Sequence, residues 1–260
     1  MKKHLRVLWL YTQNSIRISL QQKTGAIMFL LGKLLRFGIS TLFIFYLLKN
    51  TRLLAGYTMD QTMVFYLTYN VIDSISQQFF REVYRFRPLI VSGDFDTILV
   101  KPVHPFTRVL LGGIDILDFI PTIIYIGMLG YFLNKLHMLA TPMIVVFAVM
   151  ILSSLIITAA FHILVLAMGI ISTEVDHTIM IYRDILRMGT FPIDIYSEPL
   201  RSVLTFVVPV GLMMSFPVKA LFGYLSTPLI IFSLVLAAVF FVISIWAWNG
   251  ALARYQSASS

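Results

Sequence analysis

The sequence predicts an all-α, polytopic membrane protein, and three observations support this prediction. Hydrophobic residues make up 58% of the 260 positions and charged residues only 12%, whereas soluble globular domains average about 25% charged residues. Several nearly unbroken apolar runs reach the roughly 20 residues that a helix needs to cross a bilayer. These runs do not alternate with period two, which favours helices over a barrel. We therefore expect one transmembrane domain over residues 1–260.

The chain begins with a predicted amphipathic helix at residues 4–22. Apolar residues at helical spacing, including Trp9, are interspersed there with basic ones, a pattern typical of helices at a membrane surface. The first span is predicted at residues 26–48, with Lys33 and Arg36 in its first half. We expect both side chains to extend toward the cytosolic side, as long basic side chains do in membranes.

Further apolar runs predict spans at residues 61–80, 109–133, 142–172 and 228–248. The run at 142–172 is longer than one straight crossing requires, so this helix must tilt or extend into the cytosol. The last span ends in Trp246 and Trp248, a pair that we expect at the membrane interface.

The position of the fifth span has two interpretations. Hydropathy favours residues 203–223, although Pro209, Gly211 and Pro217 interrupt this run. Alternatively, the polar segment 176–195 crosses the membrane, and residues 199–223 dip into the outer face as a re-entrant element. Irregular backbone at membrane depth is tolerated only where it is buried in protein or lines a cavity.

Lysine and arginine residues are distributed unequally between the two sides. If segment 176–195 crosses, most of them fall on the side of both termini, which places the termini in the cytosol. We attribute the net charge of +8 to loops that face the cytosol and anionic lipid, not to nucleic-acid binding.

Residues 91–105, VSGDFDTILVKPVHP, form the most distinctive polar segment. Ser92 or Asp94 can cap a helix, and an apolar face recurs at i, i+3 and i+4. Pro102 disfavours helix at the preceding residue. The segment therefore predicts a helix of about two turns, which is either a surface turn on the membrane or a contact site for a partner.

A polar stripe marks the predicted second span, at Tyr66, Asn70, Asp73 and Gln77, which share one helix face. An ionisable residue within a span faces protein or a wet cavity. The stripe therefore lines a transport path or a subunit contact, or else it is a satisfied packing contact within the bundle.

A second charged set, Arg183, Asp184 and Arg187, lies in the disputed segment 176–195. Asp184 and Arg187 are spaced to pair along a helix. These groups must face the interior if the segment crosses the membrane, and they are ordinary surface charges if it does not.

The sequence gives no sign of catalysis. It contains no G-x-x-x-x-G-K-[ST] phosphate loop, no cluster with metal-ligand spacing and no nucleophile with its base. We therefore expect neither an enzyme nor a bound cofactor or metal on this chain. An ion-coupled carrier or channel that uses Asp73 would leave the segment 91–105 unexplained, and a lipid-modifying enzyme would need catalytic groups that we do not find.

Three stretches carry a resemblance to a known family. GDFDTILVKPVHP at 93–105 resembles the "G-x-L-D-x-x-L-x-[KR]-P" loop of the membrane subunits of ATP-binding-cassette (ABC) exporters. RSVLTFVVPVGLMMSFPVKALFG at 201–223 and RYQSA at 254–258 are similar to further segments of the six-span, type-2 exporter permeases of bacteria. Phe95 departs from the family's usual leucine but keeps an apolar side chain.

The resemblance implies a six-span permease of the bacterial cytoplasmic membrane that works with two copies of a separate ATPase, on which ATP and Mg bind. It implies a second permease, most often a different but similar chain and otherwise a second copy, and it favours the polar fifth span. The outer re-entrant element then contains Pro209, Gly211 and Pro217. The ATPase would dock on a short coupling helix between spans two and three, with Phe95, Ile98 and Leu99 as the docking face. The implied coupling residues are Gly93, Asp94, Phe95, Asp96, Ile98, Leu99, Lys101 and Pro102.

Overall fold

The computed structural model describes residues 2–172 and 175–256, and the chain is all-helical within these ranges. Ser257 and Ala258 of the C-terminal motif lie outside the described residues. The helices are, in chain order, α1 (Lys2–Gln21), α2 (Lys23–Thr51), α3 (Met59–Phe80), α4 (Phe86–Val91), α5 (Asp94–Leu99), α6 (Phe106–Val109), α7 (Phe119–Lys135), α8 (Met143–Ser172), α9 (Val175–Arg187), α10 (Leu200–Ser202), α11 (Phe216–Leu221) and α12 (Thr227–Leu252).

Short 3₁₀ and π turns join several of these helices. The 3₁₀ turns are Arg81–Arg85, Ile116–Asp118, Met188–Thr190 and Ile193–Ile195, and the π turns are Val203–Val207 and Gly211–Ser215.

Contacts between helix termini define two ends of the bundle. We call the end at the α2–α3 connection the Tyr57 end, and the end at which α3 stops the Phe80 end. Just before α7, the Asp115 amide donates to the Gln78 carbonyl at 3.0 Å, which places the start of α7 at the Phe80 end. Lys135, the last residue of α7, donates to Asp60 at 2.8 Å, so α7 finishes at the Tyr57 end.

The segment that contains α9 also runs from one end to the other. Near its start, Arg87 pairs with Asp176 at 2.9 Å, at the Phe80 end. Beyond its last turn, Asp194 accepts a hydrogen bond from the Tyr57 hydroxyl at 2.9 Å. This stretch is therefore about as long as α3, although helix α9 itself covers only part of it.

Helix α12 returns the chain to the Phe80 end, where its Trp248 ring lies 6.4 Å from that of Phe86. The described residues therefore pass between the two ends six times, through α2, α3, α7, α8, the segment 176–194 and α12.

In the part of the chain that the structure describes, four helical segments are long and apolar enough to cross a bilayer: Lys23–Thr51, Ile116–Lys135, Met143–Ser172 and Thr227–Leu252. The bent pair Leu200–Val207 and Gly211–Leu221 would add a fifth if it formed a single span. Helix α3 has the length of a span but carries the polar stripe, and α9 is short and polar. The prediction of a polytopic helical membrane protein is confirmed. The apolar helix predicted from residue 109 instead begins at Ile116, because glycines and Asp115, whose carboxylate accepts from the Leu117 amide at 2.9 Å, interrupt the run.

The core is built from closely packed helix pairs, above all α8 with α12 and α3 with α7. The buried positions of α12 include several small residues, namely Ser233, Ala237, Ser244 and Ala251. Small residues let helix backbones approach closely, which is the usual basis of helix pairing in membranes.

Residues 200–221 form a sharply bent element, because the segments Leu200–Val207 and Gly211–Leu221 meet at 81°. A Cβ atom on Gly211 would lie 2.7 Å from the Thr205 hydroxyl oxygen, so the bend needs a glycine there. The π turn Gly211–Ser215 is buried, and Ser154 of α8 donates to its Met213 carbonyl at 2.6 Å.

The bent element enters and leaves at the Tyr57 end. Arg201, near its start, and Lys219, near its finish, line the same cavity as Asp194. Lys219 donates to Asp194 at 2.7 Å. This is the geometry that the re-entrant interpretation requires. Backbone groups at such depth need hydrogen-bond partners, as the Met213 carbonyl has in Ser154.

Candidate functional site

The segment 91–105 contains the short helix that its sequence predicts, α5. Gly93 precedes the helix with φ of +77°, a left-handed conformation that glycine adopts without strain. Ser92 donates to the Asp94 carboxylate at 2.8 Å and accepts from the Asp94 amide at 3.4 Å. Helix α5 ends at Leu99, before Pro102, as expected.

The apolar face of α5 points into the protein. Phe95 is 0% exposed, and its ring meets those of Phe86 and Tyr255 almost at right angles, at 5.2 and 5.1 Å. Trp248 lies 6.4 Å away, and Ile98 is also buried.

The expectation that Phe95, Ile98 and Leu99 form an outward docking face is therefore wrong in its orientation. These side chains bury their apolar surface against α4, α12 and the C-terminal segment, where contact with water is lost. Trp248, expected at the membrane interface, belongs to the same cluster, whereas Trp246 is exposed. A part for these residues in coupling stays a prediction.

The opposite face of α5 is exposed and does not pack against this aromatic cluster. Val100 is 84% exposed and Val91 62%. The exposed residues beside them are the polar Asp94, Thr97 and Lys101, and Pro102. A partner that approaches the Phe80 end would meet these side chains.

The C-terminal segment is held against α5. The pKa of the Tyr255 hydroxyl is raised, by burial first and then by the facing Asp96 carboxylate. Tyr255 belongs to the RYQSA stretch, so two of the sequence motifs that share a family resemblance meet in space.

A polar cavity of about 80 Å³ lies between α2, α3 and the turn after α9. Tyr66, Asn70 and Asp73 of the predicted stripe line it together. Gln77, the fourth member, lies one turn further along α3 and donates to the Tyr84 hydroxyl at 3.0 Å. The stripe is therefore partly a cavity wall and partly a packing contact.

The predicted charged set of α9 reaches the same region. Arg183 and Arg187 line a smaller cavity of about 10 Å³ that also borders Asp73 and Arg36. Asp184 lines neither cavity and pairs with Arg187 at 2.9 Å, so the predicted pair is present. Asp73 thus lies where α3 meets α9.

Two basic residues of this region lie elsewhere than the sequence analysis predicts. Lys33 and Arg36 were expected only to extend toward a membrane surface, yet both line the larger cavity. Lys33 forms an ion pair with the fully buried Asp118, which Arg81 also contacts at 3.2 Å. Their spacing of i and i+3, with Ser40 at i+7, was the available signal, since it puts all three on one helix face.

Comparison with known proteins gives one positive finding. A family model described as "ABC-2 family transporter protein" matches residues 34–259. No curated protein and no solved structure matches the chain. The family match covers α5, the bent element and all residues that line the polar cavity except Lys33.

Proposed function

Because the chain belongs to the ABC-2 family of transporter membrane proteins, we propose that it is the permease subunit of an ATP-driven exporter. In this proposal it forms the translocation path with a second permease, and two separate ATPase subunits, which carry ATP and Mg, dock at the Phe80 end. The observation that carries the proposal is the position of α5. This helix is exposed on one face and fixed by Phe95 on the other to α4 and α12.

The charge distribution supports a cytosolic Phe80 end, because basic residues favour the cytosolic side of short loops. The basic residues of loops and helix ends at the Tyr57 end are Lys49, Arg52, Lys135, Arg201 and Lys219. Those at the Phe80 end are Arg81, Arg85, Arg87, Lys101, Arg108 and Arg254, together with Lys2, Lys3, Arg6, Arg17 and Lys23 of the N-terminal segment, whose helix α1 contacts α6. Both termini would then be cytosolic, in the plasma membrane of a bacterium.

All six passes of the bundle would cross the membrane. Helix α3 and the segment 176–194 are polar, but each connects the same two ends as the apolar helices. Polar spans of this kind must face protein or a wet cavity, and these two face each other across Asp73. The bent element at 200–221 would be re-entrant from the outside.

Coupling would proceed through the Phe95 contacts. Closure of the ATPases would push on the exposed face of α5, and the buried face would transmit this movement to Trp248 on α12. The chain that leads from α3 through α4 to α5 offers a second connection, to the helix that carries Asp73. The polar cavity beside Asp73 would then open alternately toward the two sides.

A docking test separates the exposed face of α5 from the rest of the chain. We expect Val100→Asp to abolish co-purification of the ATPase, because it places a charge on an apolar, 84% exposed contact site. Leu139→Asp is the matched control, since Leu139 is an exposed apolar residue at the Tyr57 end. Normal ATPase binding by both Val100→Asp and Val91→Asp would contradict the docking assignment.

Cysteine labelling tests the membrane topology. The sequence contains no cysteine, so only an introduced cysteine can react. Single cysteines would replace the exposed residues Ser92, Ser197 and Ser226. We expect an impermeant maleimide added to intact cells to label positions 197 and 226 and to spare position 92. If residues 203–223 formed the fifth span, position 197 would be protected while position 226 would still react.

A further inference from the structure

The region where α2, α3 and α9 meet has an excess of positive charge. Lys33 and Arg36 come from α2, Arg183 and Arg187 from α9, and Asp73 from α3 is the acidic group that lines the cavities with them. Lys33, Arg36 and Arg183 all act electrostatically on Asp73. One carboxylate therefore faces several cations.

Two of these cations have no counter-ion of their own. Lys33 is paired with Asp118 and Arg187 with Asp184. Within residues 2–172 and 175–256, neither Arg36 nor Arg183 forms an ion pair with a carboxylate, although the Arg183 guanidinium lies 5.7 Å from the centre of the Tyr84 ring. At membrane depth, an uncompensated arginine is costly, so a bound anion would stabilise this arrangement.

The cavity has the donors and the room that an oxyanion needs. Ser40, Tyr69 and Asn70 line it together with Lys33 and Arg36. Tyr66 and Thr190 also line it, but their hydroxyls donate to the Phe37 and Arg187 carbonyls. Its volume of about 80 Å³ is sufficient for several waters or a small oxyanion, since one water needs roughly 10–15 Å³. The planar guanidinium group matches the geometry of phosphate and carboxylate oxygens.

An apolar pocket adjoins the basic region. Leu186 of α9 borders both the smaller basic cavity and a pocket of about 210 Å³ between α8, α9 and the bent element. The other walls of this pocket include Phe161, Leu164 and Val210. A polar, cationic site beside an apolar one fits a molecule with an anionic head and a hydrocarbon part.

We propose that the polar cavity beside Lys33 and Arg36, which shares Arg36, Tyr69 and Asp73 with the smaller cavity that Arg183 lines, binds an oxyanion, phosphate or carboxylate, carried as the head of an amphiphilic transport substrate. This inference rests on the proposed transport function, because it names the chemical class of the cargo. The Asp73 carboxylate offsets part of the positive charge, which lowers the affinity for the anion and lets it dissociate.

The test is a binding measurement on the purified, full-length chain with a fluorescent short-chain phosphatidic acid. Diacylglycerol with the same chains is the uncharged reference. We expect the phosphatidic acid to bind more tightly than diacylglycerol, and Arg36→Gln and Arg183→Gln each to weaken its binding by roughly tenfold, the order expected for one charged contact. Arg36→Lys should retain most of the affinity, because it keeps the charge.

The matched control is Arg201→Gln, which should not alter binding. Arg201 is a partly exposed arginine at the Tyr57 end that pairs with Glu198 at 2.8 Å. Asp73→Asn gives a sign test, because loss of the single acid should strengthen anion binding. The melting temperatures of all variants would be compared with that of the wild type, to separate loss of binding from loss of folding. Arg36 and Arg183 are exposed, so replacing them removes no buried packing and should leave the melting temperature unchanged.

Inorganic phosphate added as a competitor identifies the source of the anion. If phosphate displaces the probe, the cavity binds oxyanions, and a free anion is enough to occupy it. Retention of the probe, with its dependence on Arg36 and Arg183, would support a lipid-like headgroup. Equal binding of phosphatidic acid and diacylglycerol, or unchanged binding by both Gln variants, would overturn the inference. The assay needs no ATPase, so its failure is distinct from failure of the docking test at Val100.

Discussion

The Phe95 ring determines how firmly α5 is joined to the membrane helices, and Phe95→Ala should break that connection. The ring is fully buried, and replacing a buried phenylalanine by alanine costs about 3–5 kcal/mol. Near-perpendicular pairs with Phe86 and Tyr255 contribute within this figure, at about 0.5–1.5 kcal/mol each. Val100→Ala, on the exposed face, should stay within about 0.5 kcal/mol of the wild type.

The assay is thermal unfolding of the purified protein, together with ATP-driven transport by the reconstituted complex. Phe95→Ala should lower the melting temperature and reduce transport while the ATPase still co-purifies, because the docking face is intact. Phe95→Leu should lose less than about 1.5 kcal/mol, since it keeps most of the apolar volume. If Phe95→Ala melts and transports like Val100→Ala, the ring does not join α5 to α12, and the proposed route of coupling is refuted.

Two further predictions concern the bent element and its attachment. Gly211→Ala should destabilise the protein by about 1–3 kcal/mol through overpacking, because the new methyl would lie 2.7 Å from the Thr205 hydroxyl. Gly130→Ala in α7, where a methyl meets nothing within 4 Å, should be neutral or slightly stabilising, and equal melting temperatures for the two variants would contradict the close approach. Asp194→Ala removes the acceptor that Lys219 reaches at 2.7 Å and should lower the free energy of unfolding by about 1–3 kcal/mol. Thermal melting measures this loss, and an unaltered melting temperature would show that the pair does not attach the bent element.

The apolar helices could be predicted from sequence because hydropathy is a local property. The runs at 26–48, 142–172 and 228–248 correspond to α2, α8 and α12. The helix predicted from residue 109 starts later, because the hydrophobic run continues through a loop. Hydropathy counts the residues of that loop as apolar, whereas backbone geometry is set by its glycines and by the Asp115 carboxylate.

The site was predictable only as far as helical spacing determines it. Spacing brought Tyr66, Asn70 and Asp73 to one face, and the structure keeps them together. It could not give the direction of Phe95, whose partners Trp248 and Tyr255 lie more than one hundred residues away in the chain. An amphipathic helix of two turns has an apolar face in either case, and only long-range packing decides whether that face is buried within the chain or offered to a partner.

The exposed charges on α2 and α9 favour an assembly larger than one chain. Arg36, Arg183 and Arg187 are all exposed on the face that surrounds Asp73. An arginine turned toward lipid at the bilayer centre costs about 2.5–3.5 kcal/mol even on the most permissive scale. Arg187 is paired with Asp184, so Arg36 and Arg183 together would cost about 5–7 kcal/mol. Such a cost is comparable to the whole stability of a typical domain. In the proposed assembly this surface would face a second permease across a wet path, which would remove the cost and would place the Asp73 cavity between the two subunits.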